Sequence, residues 1–240
     1  GSVDFVGVCH ARVRGSHAGG GEVRCGTALQ STQLTRTGMI VHTSQGPIVA
    51  NVVVGCGGLQ SDRVARMLGL ASPVRIVPFR GEYHLLAREK DLVRNLIYPV
   101  PDPRLPFLGV HFTRRIDGTI DCGPNAVLAL SREAYGGGMP DSDDLVETLS
   151  HPGFLRLAWK HLGYGLAEMR RSISKRAFAS ALQRLVPAVT SDDLQPGPVG
   201  IRAQAVSPDG RLLNDFIIEE GQRVGCVLNA PSPAATASLE

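Results

Sequence analysis

Residues 48–58 constrain the fold more than any other part of the chain. Ile48-Val49-Ala50-Asn51-Val52-Val53-Val54 is almost continuously apolar and runs into Gly55-Cys56-Gly57-Gly58. Ser61-Asp62 and a short helical pattern over 62–69 follow. An apolar run bounded in this way reads as a strand buried on both faces, as in a layered α/β sheet. Ser61-Asp62 reads as the N-cap of the helix. The unit is therefore strand, glycine turn, helix. Such a turn can present backbone N–H groups to a phosphate, or it can simply let strand and helix pack closely. It is not the dinucleotide fingerprint G-x-G-x-x-G, because position 60 is Gln. No acidic residue closes a second strand about 20 residues further on, and no G-x-x-x-x-G-K-[ST] occurs.

The surrounding pattern alternates between helical and extended stretches. Residues 4–17 show an apolar face through Phe5, Val8, Cys9 and Val13 and read as a helix ended by Gly19-Gly20-Gly21. Extended segments at 22–33, 38–44 and 47–54 are separated by turn signals at Thr37-Gly38 and Gln45-Gly46-Pro47, which predicts an antiparallel meander. Residues 74–87 alternate as a strand. Pro99, Pro101, Pro103 and Pro106 make 97–107 a rigid loop. Strands at 107–113 and 118–123 join at Asp117-Gly118, and 142–186 is mostly helical with breaks near Pro152 and at Gly163–Gly165. Pro196-Gly197-Pro198 reads as a linker before strands at 199–206, 212–219 and 224–228, and a helix begins at Ser232. We expect an α/β (α+β) chain in which residues 1–72 and 198–240 form one domain and 73–197 form an inserted mixed β-sheet with helices.

Composition bounds the partners. At 43% apolar and 20% charged, 240 residues can bury a core. A net charge of +3 gives no reason to invoke nucleic acid, and Arg170-Arg171 with Lys175-Arg176 reads as a solvated helix face. Five cysteines, an odd count with no C-x-x-C pair, suggest neither a zinc site nor a disulfide framework; they are expected to be reduced and mostly buried. No apolar run reaches the roughly 18 residues of a membrane-spanning helix.

The residues able to carry chemistry are few. Arg80 lies between Phe79 and Gly81, and Arg202 lies in Gly200-Ile201-Arg202-Ala203-Gln204. A cation within an apolar strand needs a partner. The partner is either a protein carboxylate, with Glu82 and Asp215 as candidates, or the carboxylate of a ligand, which a planar guanidinium fork suits. His111, in Phe107-Leu108-Gly109-Val110-His111-Phe112, is either a satisfied core histidine or a base titrating near neutrality. Tyr83 and Tyr98 can hydrogen-bond a ligand or pack. Asn125, after Gly123-Pro124, can face a cleft or cap a turn. Asn229-Ala230-Pro231-Ser232-Pro233 lets a flat ligand approach the backbone at a helix start, or is an ordinary capped start.

The order of these segments resembles one family. Val53-Val54-Gly55-Cys56-Gly57-Gly58, Val77-Pro78-Phe79-Arg80-Gly81-Glu82-Tyr83, Ile97-Tyr98-Pro99-Val100-Pro101, Pro106-Phe107-Leu108-Gly109-Val110-His111-Phe112, Gly123-Pro124-Asn125-Ala126, Gly200-Ile201-Arg202-Ala203-Gln204 and Asn229-Ala230-Pro231-Ser232-Pro233 follow one another as in the L-2-hydroxyglutarate dehydrogenase/oxidase group. That group belongs to the D-amino-acid-oxidase-like flavoproteins, and the resemblance covers essentially the whole chain. It implies a partial Rossmann-like FAD-binding domain with an inserted substrate domain. It also implies that Leu29 contacts the adenine, that Gly57 and Gly58 lie near the FAD phosphates, and that Arg202 with Ala230, Pro231, Ser232 and Pro233 lies by the isoalloxazine. Arg80, Tyr83, Tyr98, His111 and Asn125 would face the substrate. His111 is the candidate base, and Arg80 and Arg202 are candidate clamps for a 2-hydroxydicarboxylate.

The implied reaction is oxidation of L-2-hydroxyglutarate to 2-oxoglutarate, with electrons passing on to a quinone, a carrier flavoprotein or oxygen. Peripheral membrane association is compatible with this, as is a mitochondrial home in a eukaryote or a cytoplasmic or inner-membrane-associated one in a bacterium. The alternatives are a flavin-dependent amine or amino-acid oxidase and an incomplete fragment acting only as a binding module. The 240 residues read as an interior fragment. They lack the G-x-G-x-x-G element and the helix that would follow Ser238. These residues alone are therefore expected to hold FAD weakly or not at all. The visible absorbance spectrum of the purified chain checks this, and a stoichiometrically yellow protein would overturn it.

Overall fold

The computed structural model describes residues 3–87, 92–100, 109–136 and 140–230. In chain order the elements are α1 (Phe5–Ala18), β1 (Leu29–Leu34), β2 (Met39–Thr43), β3 (Gly46–Ala50), β4 (Val53–Gly55), α2 (Ser61–Met67), β5 (Arg75–Leu86), β6 (His111–Arg114), β7 (Ile120–Gly123), β8 (Val127–Leu128), α3 (Ser142–Leu149), α4 (Pro152–Lys160), α5 (Leu162–Ile173), α6 (Lys175–Leu182), β9 (Leu194–Val206), β10 (Ile217–Gly221) and β11 (Val224–Asn229). The mixture of helices with several sheets is an α/β fold. Two compact units divide the chain: Val77–Leu212, and Val3–Ile76 with the described part of Leu213–Glu240.

In the unit built from both ends of the chain, β1-β2-β3 is the antiparallel meander that the turn signals predict. The apolar run 48–54 behaves differently from its reading as one strand buried on both faces. It divides at Asn51-Val52, so that β3 ends the meander and β4 pairs in parallel with β11 in a separate sheet, β10-β11-β4. Val49, Val52 and Val54 are exposed, whereas the core is Met39, Ala65, Leu68, Val224, Cys226 and Leu228. Ser61 and Asp62 do not cap α2. Both are buried: the Ser61 hydroxyl donates to the Leu228 carbonyl at 2.7 Å, and Asp62 Oδ2 accepts from the Ile76 N–H at 3.2 Å. The helix start is thus tied to β11 and β5.

The Val77–Leu212 unit is built on one sheet. β6 and β7 form a hairpin whose turn needs Gly118 at φ +81°; β7 and β8 both pair with β5 along one side, and β9 also pairs with β5. Pro196-Gly197-Pro198, expected as a linker, lies inside β9. Among the described strands β9 pairs only with β5, and proline is tolerated on such an edge. Gly197 is required there because a Cβ would sit 2.7 Å from the Tyr83 carbonyl oxygen. The helical region also departs from expectation: α5 runs through Gly163 and Gly165, and the breaks fall at His161 and Ser174.

Registry determines which side chains share a face. Directly paired residues of an antiparallel sheet project to the same side. His84 pairs with Cys122, and Cys122 with Phe112. Phe112 and Cys122 share a core with Phe178 and Leu182 of α6, and the His84 ring lies 4.5 Å from that of Phe178. This face is covered by helix. His111 pairs with Gly123 and projects to the opposite face. Of the cysteines, Cys122 and Cys226 are buried but Cys9, Cys25 and Cys56 are exposed, so the expectation of mostly buried thiols is not met. The Pro101–Pro106 part of the predicted loop and the helix start at Ser232 lie outside the described residues.

Candidate active site

The face of the sheet turned away from α6 carries the polar cluster. Alternation along β6 and its continuation puts His111, Thr113 and Arg115 on one side, and Asp121, paired with Thr113, joins them. Together with Tyr83 and Tyr98 they line a pocket of about 350 Å³.

His111 is held from two directions. Its Nδ1 lies 3.2 Å from the Gly109 carbonyl oxygen. A carbonyl only accepts, so Nδ1 carries the proton and Nε2 keeps its lone pair. The Tyr98 ring stacks on the imidazole, with centroids 4.2 Å apart at 21°, and the Tyr98 and Thr113 hydroxyls share a hydrogen bond of 3.2 Å. Burial pushes the His111 pKa below the usual imidazole value. The Gly109 hydrogen bond and Asp121 oppose this in part, while the Arg202 charge adds to it. The side chain is therefore a neutral imidazole at neutral pH with one free nitrogen.

Arg202 is half-buried on β9, and its charge bears on both His111 and Tyr164. Among the described residues it makes no hydrogen bond or ion pair. Arg80 is placed differently. It projects from β5 with Glu82 and His84 towards the helix layer. Its Nε lies 3.2 Å from Glu82 Oε1 and its Nη1 donates to the Ala134 carbonyl at 3.4 Å. Glu82 Oε2 in turn accepts from Asn125 Nδ2 at 2.8 Å and from the Ser172 hydroxyl of α5 at 2.6 Å, and the Glu82 N–H donates to Asn125 Oδ1 at 2.8 Å. Both ends of the Asn125 amide are thus occupied. Of the two partners considered for Arg80, a protein carboxylate or a ligand, the structure shows the carboxylate, Glu82. It brings Tyr83, Tyr98 and His111 together in one pocket, with the Arg202 charge bearing on His111, but places Arg80 and Asn125 on the other face of the sheet. Thr113, Arg115 and Asp121 were not singled out from sequence, although counting in twos from His111 finds the first two.

In the other unit, Leu29 is half-buried at the start of β1. The Gly55–Gly58 turn is closed on one side and open on the other. A Cβ on Gly57 would meet Val64 at 2.9 Å and the Ser61 nitrogen at 3.2 Å, whereas Gly58, at φ +54°, faces open space. At the end of β11, Asn229 is buried and donates to the Leu213 and Asp215 carbonyls at 2.9 and 2.8 Å, leaving Ala230 exposed. Pro231, Ser232 and Pro233 lie outside the described residues.

Comparison with known proteins gives one answer. The chain is 50% identical over 222 residues to L-2-hydroxyglutarate dehydrogenase of Indibacter alkaliphilus, covering 92% of this chain and 56% of that one. It is 45% identical over 223 residues to the mitochondrial L-2-hydroxyglutarate dehydrogenase of Mus musculus, covering 88% and 48%. The chain therefore spans about half the length of these relatives. Among solved structures, the FAD-bound L-α-glycerophosphate oxidase of Mycoplasma pneumoniae superimposes with a TM-score of 0.61 at 17% identity, over 88% of this chain and 47% of that one, which shows a shared fold. The family described as FAD dependent oxidoreductase (DAO) matches residues 1–238, and the chain belongs to it.

Proposed function

We propose that these residues carry the substrate side, and part of the cofactor side, of an enzyme that oxidises L-2-hydroxyglutarate to 2-oxoglutarate. The observation that carries this reading is the placement of His111 in a pocket with Tyr83, Tyr98 and Arg115, its Nδ1 held by the Gly109 carbonyl and its Nε2 left with a lone pair. The names of the similar proteins support the same substrate.

The chain's own groups perform two tasks. Nε2 accepts the proton of the C2 hydroxyl as the carbonyl forms, and a neutral imidazole is the form able to do so. Arg202 holds the adjacent carboxylate and so orients C2; a charge-assisted hydrogen bond of this kind contributes about 1.5–3 kcal/mol. Stacking of Tyr98 on His111 limits rotation of the base.

The residues present fit part of a flavin dinucleotide. Gly58 offers bare backbone with no side chain to keep a phosphate away, and Gly57 lets the turn lie tight against α2. Leu29 and Ala230 would contact the adenine and isoalloxazine ends, with Pro231, Ser232 and Pro233 continuing the second contact. The chemistry FAD supplies is acceptance of the C2 hydride at N5, since no side chain accepts hydride. The final electron acceptor would be a quinone, a carrier flavoprotein or oxygen. No described helix is long and apolar enough to cross a membrane; the proposed home is mitochondrial in a eukaryote and cytoplasmic or inner-membrane-associated in a bacterium.

Turnover by the FAD-loaded full-length protein tests the reading. Formation of 2-oxoglutarate from L-2-hydroxyglutarate, with glycine and proline left unoxidised, is expected. Oxidation of the amino acids in preference to the hydroxy acid would sink it.

A further inference from the structure

A 2-hydroxydicarboxylate has a second carboxylate, and the structure turns Arg80, the cation expected to meet it, to the other face of the sheet. We propose that Arg115 is the clamp for this distal carboxylate, set in position by Asp121. The inference rests on the substrate reading above and identifies how the site recognises a diacid.

Three observations carry it. First, Arg115 shares the pocket with His111, and among the described residues lining that pocket it is the only arginine or lysine. Second, only one edge of its guanidinium is used. Nε donates to Asp121 Oδ2 at 2.5 Å, and the two terminal nitrogens make no hydrogen bond among the described residues. A guanidinium pinned along one edge presents its remaining donors in a fixed plane, the arrangement that pairs with a carboxylate. Third, the pin is rigid. Asp121 is buried in β7 between its partners on β5 and β6, whereas the Arg115 side chain is 42% exposed and open to a ligand. Asp121 Oδ1 is itself buried without a hydrogen-bond partner. A buried carboxylate with spare acceptor capacity is costly, and it is accounted for if its task is to hold Arg115.

The spacing suits the chemistry. Four residues of extended chain separate His111 from Arg115 by about 13 Å, and the arginine arm closes part of that gap. The anionic end is thereby recognised several bonds away from the carbon that His111 serves. Without ligand, Arg115 and Asp121 compensate each other, so the free pocket pays no penalty for an unpaired cation.

The test compares L-2-hydroxyglutarate with L-2-hydroxyvalerate, the same five-carbon chain ending in a methyl group, on the FAD-loaded full-length enzyme. Arg115→Met is expected to lower kcat/KM for the diacid by about 10- to 100-fold, the loss of one charge-assisted contact, and to leave the monoacid within about threefold. The double variant Arg115→Met, Asp121→Asn removes the carboxylate left behind and guards against misfolding; it is expected to show the same loss of preference. Calorimetric binding of glutarate against valerate gives a second readout independent of turnover, in which glutarate alone weakens. Equal losses on both substrates would show a merely structural role and overturn the proposal, as would an unchanged preference. If the wild-type enzyme itself does not favour the diacid, the substrate reading fails together with the clamp. If the wild type favours it and the variants keep that preference, the clamp alone fails.

Discussion

Replacing His111 with glutamine is expected to lower kcat for L-2-hydroxyglutarate by about 10²- to 10⁴-fold, the range associated with loss of a positioned general base, while KM changes little. The amide fills much of the imidazole's space and can still hydrogen-bond, but it accepts no proton near neutral pH. The pH profile gives an independent check. Burial lowers the His111 pKa and Arg202 adds to that, against the opposing Gly109 bond and Asp121. The base is active when deprotonated, so wild-type kcat/KM is expected to hold as pH falls through the ordinary imidazole value of about 6.5 and to decline only below it. The glutamine variant should lose that acidic limb. Retention of more than a third of the wild-type rate, or an acidic limb common to both proteins, would remove His111 from the reaction.

The largest effect on stability is expected at a residue remote from this chemistry. Arg132 is 1% exposed, and its Nη2 donates to Glu147 Oε2 at 3.1 Å, with Nε 3.7 Å from Asp144 Oδ1. Its own backbone N–H donates to Asp144 Oδ2 at 2.7 Å. Asp144 and Glu147 stand three residues apart on α3, so one arginine serves two carboxylates and fastens that helix to the segment after β8. Arg132→Met leaves both carboxylates without the cation. Breaking a buried pair in this way costs about 3–5 kcal/mol, which lowers the melting temperature by about 6–20 °C. Neutralising the partners as well, with Asp144→Asn and Glu147→Gln, is expected to recover much of the loss, because the penalty lies in the unpaired charges. A melting temperature unchanged in the single variant would show that the triad contributes little. Sequence order gives no local sign of this role, because the two acids lie 12 and 15 residues beyond Arg132.

Much of the organisation was legible in the residue order. The helix at 4–17, the three-stranded meander, the hairpin at Asp117-Gly118 and the helix break near Pro152 all follow from local signals, and all are present. The failures have identifiable causes. Gly163 and Gly165 each cost about 1 kcal/mol relative to alanine in a helix, yet α5 continues through them because later residues anchor it. Glu168 accepts the Ala126 N–H at 3.1 Å, and Ser172 donates to Glu82. Helices in proteins owe most of their stability to such packing rather than to propensity. Pro196 and Pro198 read as a linker because they lack N–H donors, and only the sheet order shows that they occupy a strand with a partner on one side.

The amino-acid order by itself determined the strand, glycine turn and helix at 48–69 as a succession, the family resemblance, and the parity within each strand that sets His111, Thr113 and Arg115 on one side. Tertiary structure alone decided how the parity of one strand relates to that of the next. A strand shifted by one residue exchanges its two faces completely, and no property of Arg80 or His111 in isolation reports that shift. The pairings of His84 with Cys122, and of Cys122 with Phe112, set it. They send Arg80 to Glu82 beneath the helices and leave His111 on the open face with Arg115, so the same two candidate residues end on opposite sides of one sheet.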